Sequence, residues 1–319
     1  MSGQIKQKTQ LKGVIMLLLT AFVWGISFVA QSVGMEDVEA FTFNGIRTLM
    51  GAAVLLPIIL LRDKKETRGM ETEQVAARRQ ADQKTVRYGI VLGVVLCAAS
   101  NFQQFAFYDS TSGKIAFITA FYMFFVPLFG LFLRKRVPLL TWICVAFGVV
   151  GLFFLCIDPS SPAGINRGDA LALCCSVIYA VHILLIEKFA PDADGIKLSC
   201  VQFATSGTIS CILMFIFETP RMSAILSAMV PLLYSGIMSC GFAYTFQIIG
   251  QKYTEATVAS LIMCMESVFG VLGGAVLLHE VLSGREIAGC VIMFAAIILS
   301  QLSEAITEKL RERKAQAKA

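Results

Sequence analysis

The chain has 319 residues, of which 56% are apolar and only 15% charged, with a mean hydropathy of +0.73. A water-soluble domain carries about 25% charged residues, so this composition excludes an ordinary soluble protein. The net charge of +5 does not point to nucleic acid either, because the basic residues lie between apolar runs, as membrane-flanking charges do.

A helix needs about 20 apolar residues to cross a bilayer. Such runs predict spans at Gly13–Ala30, Ala40–Leu61, Tyr88–Tyr108, Ile115–Leu133 and Leu139–Ile157. After a polar break at Asp158-Pro159-Ser160-Ser161-Pro162, further spans are predicted at Ala170–Ile186, Leu198–Phe217, Met229–Ile249, Ala256–Leu278 and Ile287–Leu302. Lipid offers no partner for free backbone N–H and C=O groups, so each span must be helical. The first is expected to stay as a span rather than be cleaved as a leader, because Phe28-Val29-Ala30 breaks the small-x-small cleavage pattern. The segment from Arg62 to Arg87, with thirteen charges, is expected as a solvated connector, helical or disordered.

Lys and Arg set the orientation. With the N-terminus in the cytoplasm, 22 basic residues lie on the inner side and four (Lys114, Arg167, Arg221, Arg285) on the outer. Both termini are therefore expected to be cytoplasmic, in a cell inner (plasma) membrane. The ten cysteines fall in or beside apolar runs and form no CxxC or Cys/His pattern, so they are expected as packing residues. No metal, cofactor or P-loop pattern is present.

The chain repeats itself. An offset of 143 residues aligns Gly93 with Gly236, Cys97 with Cys240, Gln104 with Gln247, Thr111 with Thr254 and Ala116 with Ala259. An offset of 155 aligns Lys12-Gly13 with Arg167-Gly168 and Trp24 with Tyr179. The expected fold is all-α and integral to the membrane. It has ten transmembrane helices in two five-helix repeats, 12–157 and 168–302, with tails 1–11 and 303–319 in the cytoplasm. Five spans per unit invert the second copy, the arrangement of many secondary transporters, whose solute site lies near mid-membrane between the halves.

These features resemble the drug/metabolite transporter superfamily, in its branch with two tandem EamA-type domains. The resemblance rests on Ala21-Phe22-Val23-Trp24-Gly25, on Gly113-Lys114 through Phe125-Val126-Pro127-Leu128, and on the Arg47 region. Met265-Glu266-Ser267-Val268-Phe269 and His279-Glu280 complete it. The family usually has Glu-Pro where Glu266-Ser267 stands, so a proline-made irregularity is not expected there. The resemblance implies a ten-helix bundle around a central cavity, carrying an amino-acid-like, sugar-like or drug-like metabolite.

Residues four, seven and eleven apart share a helix face. Four such stripes stand out: Thr20, Trp24, Ser27, Gln31; Cys97, Asn101, Gln104, Tyr108; Cys175, Tyr179, His182, Ile186; and Cys240, Tyr244, Gln247, Gln251. Trp24, Asn101, Gln104, Tyr179, His182 and Gln247 are the candidate solute-binding residues. Amides and aromatics hold a small polar molecule with directional hydrogen bonds and flat apolar walls. Any one of them could instead join helices by hydrogen bonds worth around 0.6 kcal/mol.

Two charges lie inside spans, Arg47 and Glu266, and an intramembrane charge is by default a functional candidate. Glu266 is expected to bind a proton or a cationic solute group, or else to pair with Arg47 or hydrogen-bond a neighbouring helix. Arg47 stands near its span's outer end, from which it could snorkel to the interface. Gly270 and Gly274 form a GxxxG pair suited to packing within the bundle.

The expected partners are a small-molecule solute and membrane lipid, with no nucleic acid, in a monomer or homodimer. A passive channel or lipid translocator is the alternative. A membrane enzyme is more distant, since paired acids, HExxH and clustered Asp are lacking.

Overall fold

The computed structural model describes residues 2–68, 70–110, 112–135, 137–157, 166–277, 283–285 and 287–299. Among them all regular structure is helical. We number the principal helices α1 (Ser2–Asp37), α2 (Ala40–Glu66), α3 (Thr72–Ala106), α4 (Ser112–Phe132), α5 (Leu139–Cys156), α6 (Arg167–Phe189), α7 (Gly195–Phe217), α8 (Met229–Gln251), α9 (Ala256–Leu277) and α10 (Ile287–Leu299). Seven of these, α1–α4 and α6–α8, are long and apolar enough to cross a membrane; α5, α9 and α10 carry shorter apolar stretches. The expected sites at His279-Glu280, Asp158–Pro162, Arg136 and 303–319 lie outside the described residues.

The helices pair across the two halves in matching ways. Helix α1 packs on α8 and α9, while α6 packs on α3 and α4. Helix α2 packs on α7 and α8, and α7 packs on α2 and α3. Close approach follows from small residues. A Cβ on Gly93 would fall 2.5 Å from Thr205 Cβ on α7, and one on Gly236, 143 residues later, 2.8 Å from Met50 Cβ on α2. A Cβ on Gly25 would lie 2.6 Å from Glu266 O and 2.7 Å from Gly270 N, so α1 and α9 meet backbone to backbone.

Helices α4 and α9 are each broken. The first pieces end at Thr119 and Met263, and the second begin at Tyr122 and Met265. The turn residues Phe121 and Cys264 stand 143 residues apart, the offset of the repeat. In α4 the break lies just before Met123, whose carbonyl gets no N–H from Pro127. Helix α9 breaks without a proline, so its irregularity has a source other than the Glu-Pro of the family pattern. Ser267 N–H bonds Cys264 O at 3.2 Å, a tightened turn, and Cys264 Sγ donates to Ala120 O at 3.5 Å.

At the charge-rich end residues 62–87 take the helical form of a connector: α2 runs to Glu66, α3 starts at Thr72, and most of the segment is exposed. Arg62 pairs with Asp194 at 2.6 Å, Arg78 with Asp63 at 2.7 Å and Glu66 at 2.8 Å, and Lys197 with Asp63 at 2.7 Å and Asp82 at 2.8 Å. Opposite charges from α2, α3 and α7 thus neutralise one another, and the helices run on past the apolar core. Residues 2–11, the expected N-terminal tail, are helical and continue α1. At the other end Glu218 caps α2 by accepting from the N–H groups of Phe41 and Thr42, both at 2.7 Å.

Candidate functional site

The breaks in α4 and α9 lie at the centre of the bundle and open a cavity between α1, α2, α3, α4, α6, α8 and α9. Its volume is about 40 Å³, room for a few water molecules at about 10–15 Å³ for each centre. The walls are aromatic and amide in character, from Trp24, Tyr122, Tyr179, Tyr244, Gln31, Gln103 and Gln247. The two intramembrane charges, Arg47 and Glu266, are both in the wall.

Each charge is held by neutral groups. Arg47 is 4% exposed; its Nε donates to Asn44 Oδ1 at 2.7 Å, and its guanidinium lies 5.5 Å from the Phe43 ring centre. It faces the cavity rather than snorkelling to the interface. Glu266, in the first turn of the second piece of α9, accepts from Tyr122 Oη at 3.3 Å. Among the described residues no carboxylate lies within 4 Å of Arg47 and no cation within 4 Å of Glu266, so they do not form the ion pair considered from sequence. A buried charge without a counter-ion is costly, and here two of opposite sign share one cavity.

The wall also carries polar atoms with no partner: Trp24 Nε1, Ser27 Oγ, Gln31 Oε1 and Gln247 Oε1. An unpaired buried polar group costs about 1–3 kcal/mol, which a polar solute would relieve. The tyrosines are set by contacts to each other and to Trp24: the Tyr179 and Tyr244 hydroxyls are 3.0 Å apart, and the Trp24 ring lies 4.5 Å from that of Tyr244, tilted by 58°.

Helix α8 reaches the cavity through a π-helical stretch, Tyr234–Tyr244. Bonding five residues apart places Ser239 and Tyr244 on one face, where an α-helix would separate them. Thr20 Oγ1 on α1 donates to Ala243 O at 2.9 Å, and Tyr234 Oη to Val23 O at 3.0 Å, fastening the stretch to α1.

Of the sequence candidates, Trp24, Tyr179, Gln247, Arg47 and Glu266 line this cavity, and Asn101, Gln104 and His182 do not. Asn101 Oδ1 accepts from Asn44 Nδ2 at 3.0 Å, and its own Nδ2 donates to Ser210 Oγ at 2.9 Å, so it supports Arg47 through Asn44. His182 is fully buried with Gln202 Oε1 at 3.2 Å. Gln104 is fully buried too, its neighbour Gln103 taking the cavity wall. Thr119 and Tyr122, beside the break in α4, were not signalled by stripe spacing, because a break resets helical phase.

The sequence profile of the EamA-like transporter family matches residues 11–157 and again 166–302. The chain is 24% identical over 307 residues to an uncharacterized transporter of Archaeoglobus fulgidus, covering 93% of this chain and 90% of that one. It is 21% identical over 295 residues to the uncharacterized transporter YoaV of Bacillus subtilis, covering 91% and 96%. A solved crystal structure superposes with a TM-score of 0.74 at 17% identity, over 93% of this chain and 98% of the other, a likeness of fold.

Proposed function

Because the chain belongs to the EamA-like transporter family, and is thus a multi-pass membrane transporter rather than an enzyme, we propose that it is a secondary carrier of a small zwitterionic metabolite, amino-acid-like in its charges. The observation that carries this reading is the pairing of Arg47 and Glu266 in one cavity without counter-ions. A solute with a carboxylate and an ammonium would give each charge its partner in a site of low dielectric, where such bonds are strong. Aromatic walls from Trp24, Tyr179 and Tyr244 suit its apolar part, and the unpartnered atoms of Ser27, Gln31 and Gln247 suit further polar groups.

In this reading α5, α9 and α10 cross the membrane with the seven longer helices, and the halves are inverted repeats. The matched helix pairings and the breaks 143 residues apart support that symmetry. The halves rock around the cavity, whose small volume fits a closed state that must widen to load solute. The charge-rich end and both termini face the cytoplasm of the inner membrane, as the distribution of Lys and Arg favours. Glu266 is the candidate for proton coupling.

The test is uptake of a metabolite panel by reconstituted liposomes, with and without a proton gradient, for wild type, Arg47→Gln and Glu266→Gln. Saturable uptake of zwitterions, lost in both variants, is expected. Uptake that favours uncharged solutes and survives both substitutions would refute the assignment.

A further inference from the structure

A second cavity, of about 320 Å³, opens where the C-terminal ends of α4 and α6 meet the N-terminal ends of α5 and α9. It sits one helical turn beyond the central site on the same two helices. Tyr122 of α4 lines the central cavity and Val126 the second; on α6 Ile183 lines the central cavity, and Leu184 and Glu187 the second. Its polar lining is Lys135, Thr141, Glu187, Glu255 and Thr257, and the rest is apolar. Charges of both signs are thus presented here as they are in the centre.

The geometry of Glu187 carries the inference. One carboxylate oxygen accepts the N–H of Ala256, at the start of α9, at 3.1 Å. The other bonds Lys135 Nζ, from the loop between α4 and α5. The first bond fixes Glu187 to the second half, while the pair with Lys135 joins the halves. Lys135 is 46% and Glu187 22% exposed at the side chain, and ion pairs so open to solvent hold weakly. A zwitterion entering here could give Lys135 a carboxylate and Glu187 an ammonium, so the pair opens without leaving either group unpartnered. Volumes of about 300 Å³ and above are those of small-molecule sites, whereas the central cavity is closed to about 40 Å³.

We propose that this vestibule is a second binding site for the zwitterionic solute, in which the Lys135–Glu187 pair is exchanged for the solute's own charges before it moves between α4 and α6 to the centre. The proposal rests on the carrier reading above.

Thr141 lines the vestibule, so the test follows alkylation of Thr141→Cys in the full-length protein in liposomes. A membrane-impermeant thiol reagent is used, and peptide mass spectrometry separates Cys at 141 from the native cysteines. The probe is a mixture of the standard L-α-amino acids, and its uptake is measured in the same vesicles. The mixture is expected to slow alkylation severalfold, and combining Thr141→Cys with Lys135→Gln or Glu187→Gln to remove the protection. Lys135→Arg, which keeps the charge and leaves the bond from Ala256 to Glu187 intact, is expected to retain the protection, separating charge recognition from loss of fold. Unprotected alkylation in vesicles that take up amino acids overturns the vestibular site and leaves the carrier standing. Protection without uptake supports the site and refutes the carrier, and neither protection nor uptake refutes both.

Discussion

The thiol of Cys264 donates to the carbonyl of Ala120 at 3.5 Å, so the break in α9 rests on the break in α4. Two residues further on, Tyr122 and Glu266 meet at 3.3 Å, each near the start of its second helical piece. Broken helices facing each other at the centre of a bundle expose backbone and side-chain polar groups to a solute site, where lipid cannot reach them.

Tyr122→Phe is expected to leave the fold intact and free Glu266 of its only described hydrogen bond. A bond to a charged group contributes about 1.5–3 kcal/mol. Transport kcat/KM should fall by about tenfold for each 1.4 kcal/mol of that lost in the transport step. Slower uptake by a variant that is still folded at the assay temperature would support this; unchanged kinetics would make the bond incidental.

Gly25→Ala and Gly270→Ala should differ sharply. A Cβ at Gly25 would lie 2.6 Å from Glu266 O, whereas one at Gly270 meets nothing closer than Gly25 O at 3.4 Å. Overpacking of this kind costs about 1–3 kcal/mol. Thermal unfolding in detergent should show Gly25→Ala clearly destabilised and Gly270→Ala near wild type. Equal effects would contradict the close approach of α1 to α9.

Asn101→Ala is expected to act on solute affinity without touching solute. Its loss removes a partner of Asn44, which orients Arg47. KM should rise, with kcat changed less, whereas His182→Gln, away from the cavity beside Gln202, should leave KM within about twofold, the scale of a few tenths of a kcal/mol. The reverse ranking would place the solute nearer α7 than the cavity described.

Much of the membrane architecture was legible because lipid writes it into composition: apolar runs, segregated charge, and glycines where helices touch. The site was legible only in part. Trp24, Tyr179 and Gln247 face the cavity as their stripes suggest, but Gln103 does so in place of Gln104, a step of about 100° around a helix. The sequence does not mark that rotation, because both residues are glutamine and both are buried. Ser239 entered through a π-helical phase, and Tyr122 followed a break; both shift the period on which stripe spacing depends. The ion pairs that order residues 62–87 join segments far apart in the chain, so composition alone left that solvated region open between helix and disorder.

In the proposed cycle the halves alternate around the cavity that holds Arg47 and Glu266, with one zwitterion at a time. Counterflow tests it most directly: liposomes loaded with an unlabelled amino acid are placed in a trace of the labelled one. A carrier should accumulate label transiently above equilibrium, with wild-type protein but not with Arg47→Gln or Glu266→Gln. Entry that only relaxes to equilibrium, unaffected by the internal load and without saturation, would contradict alternating access and indicate a passive pore.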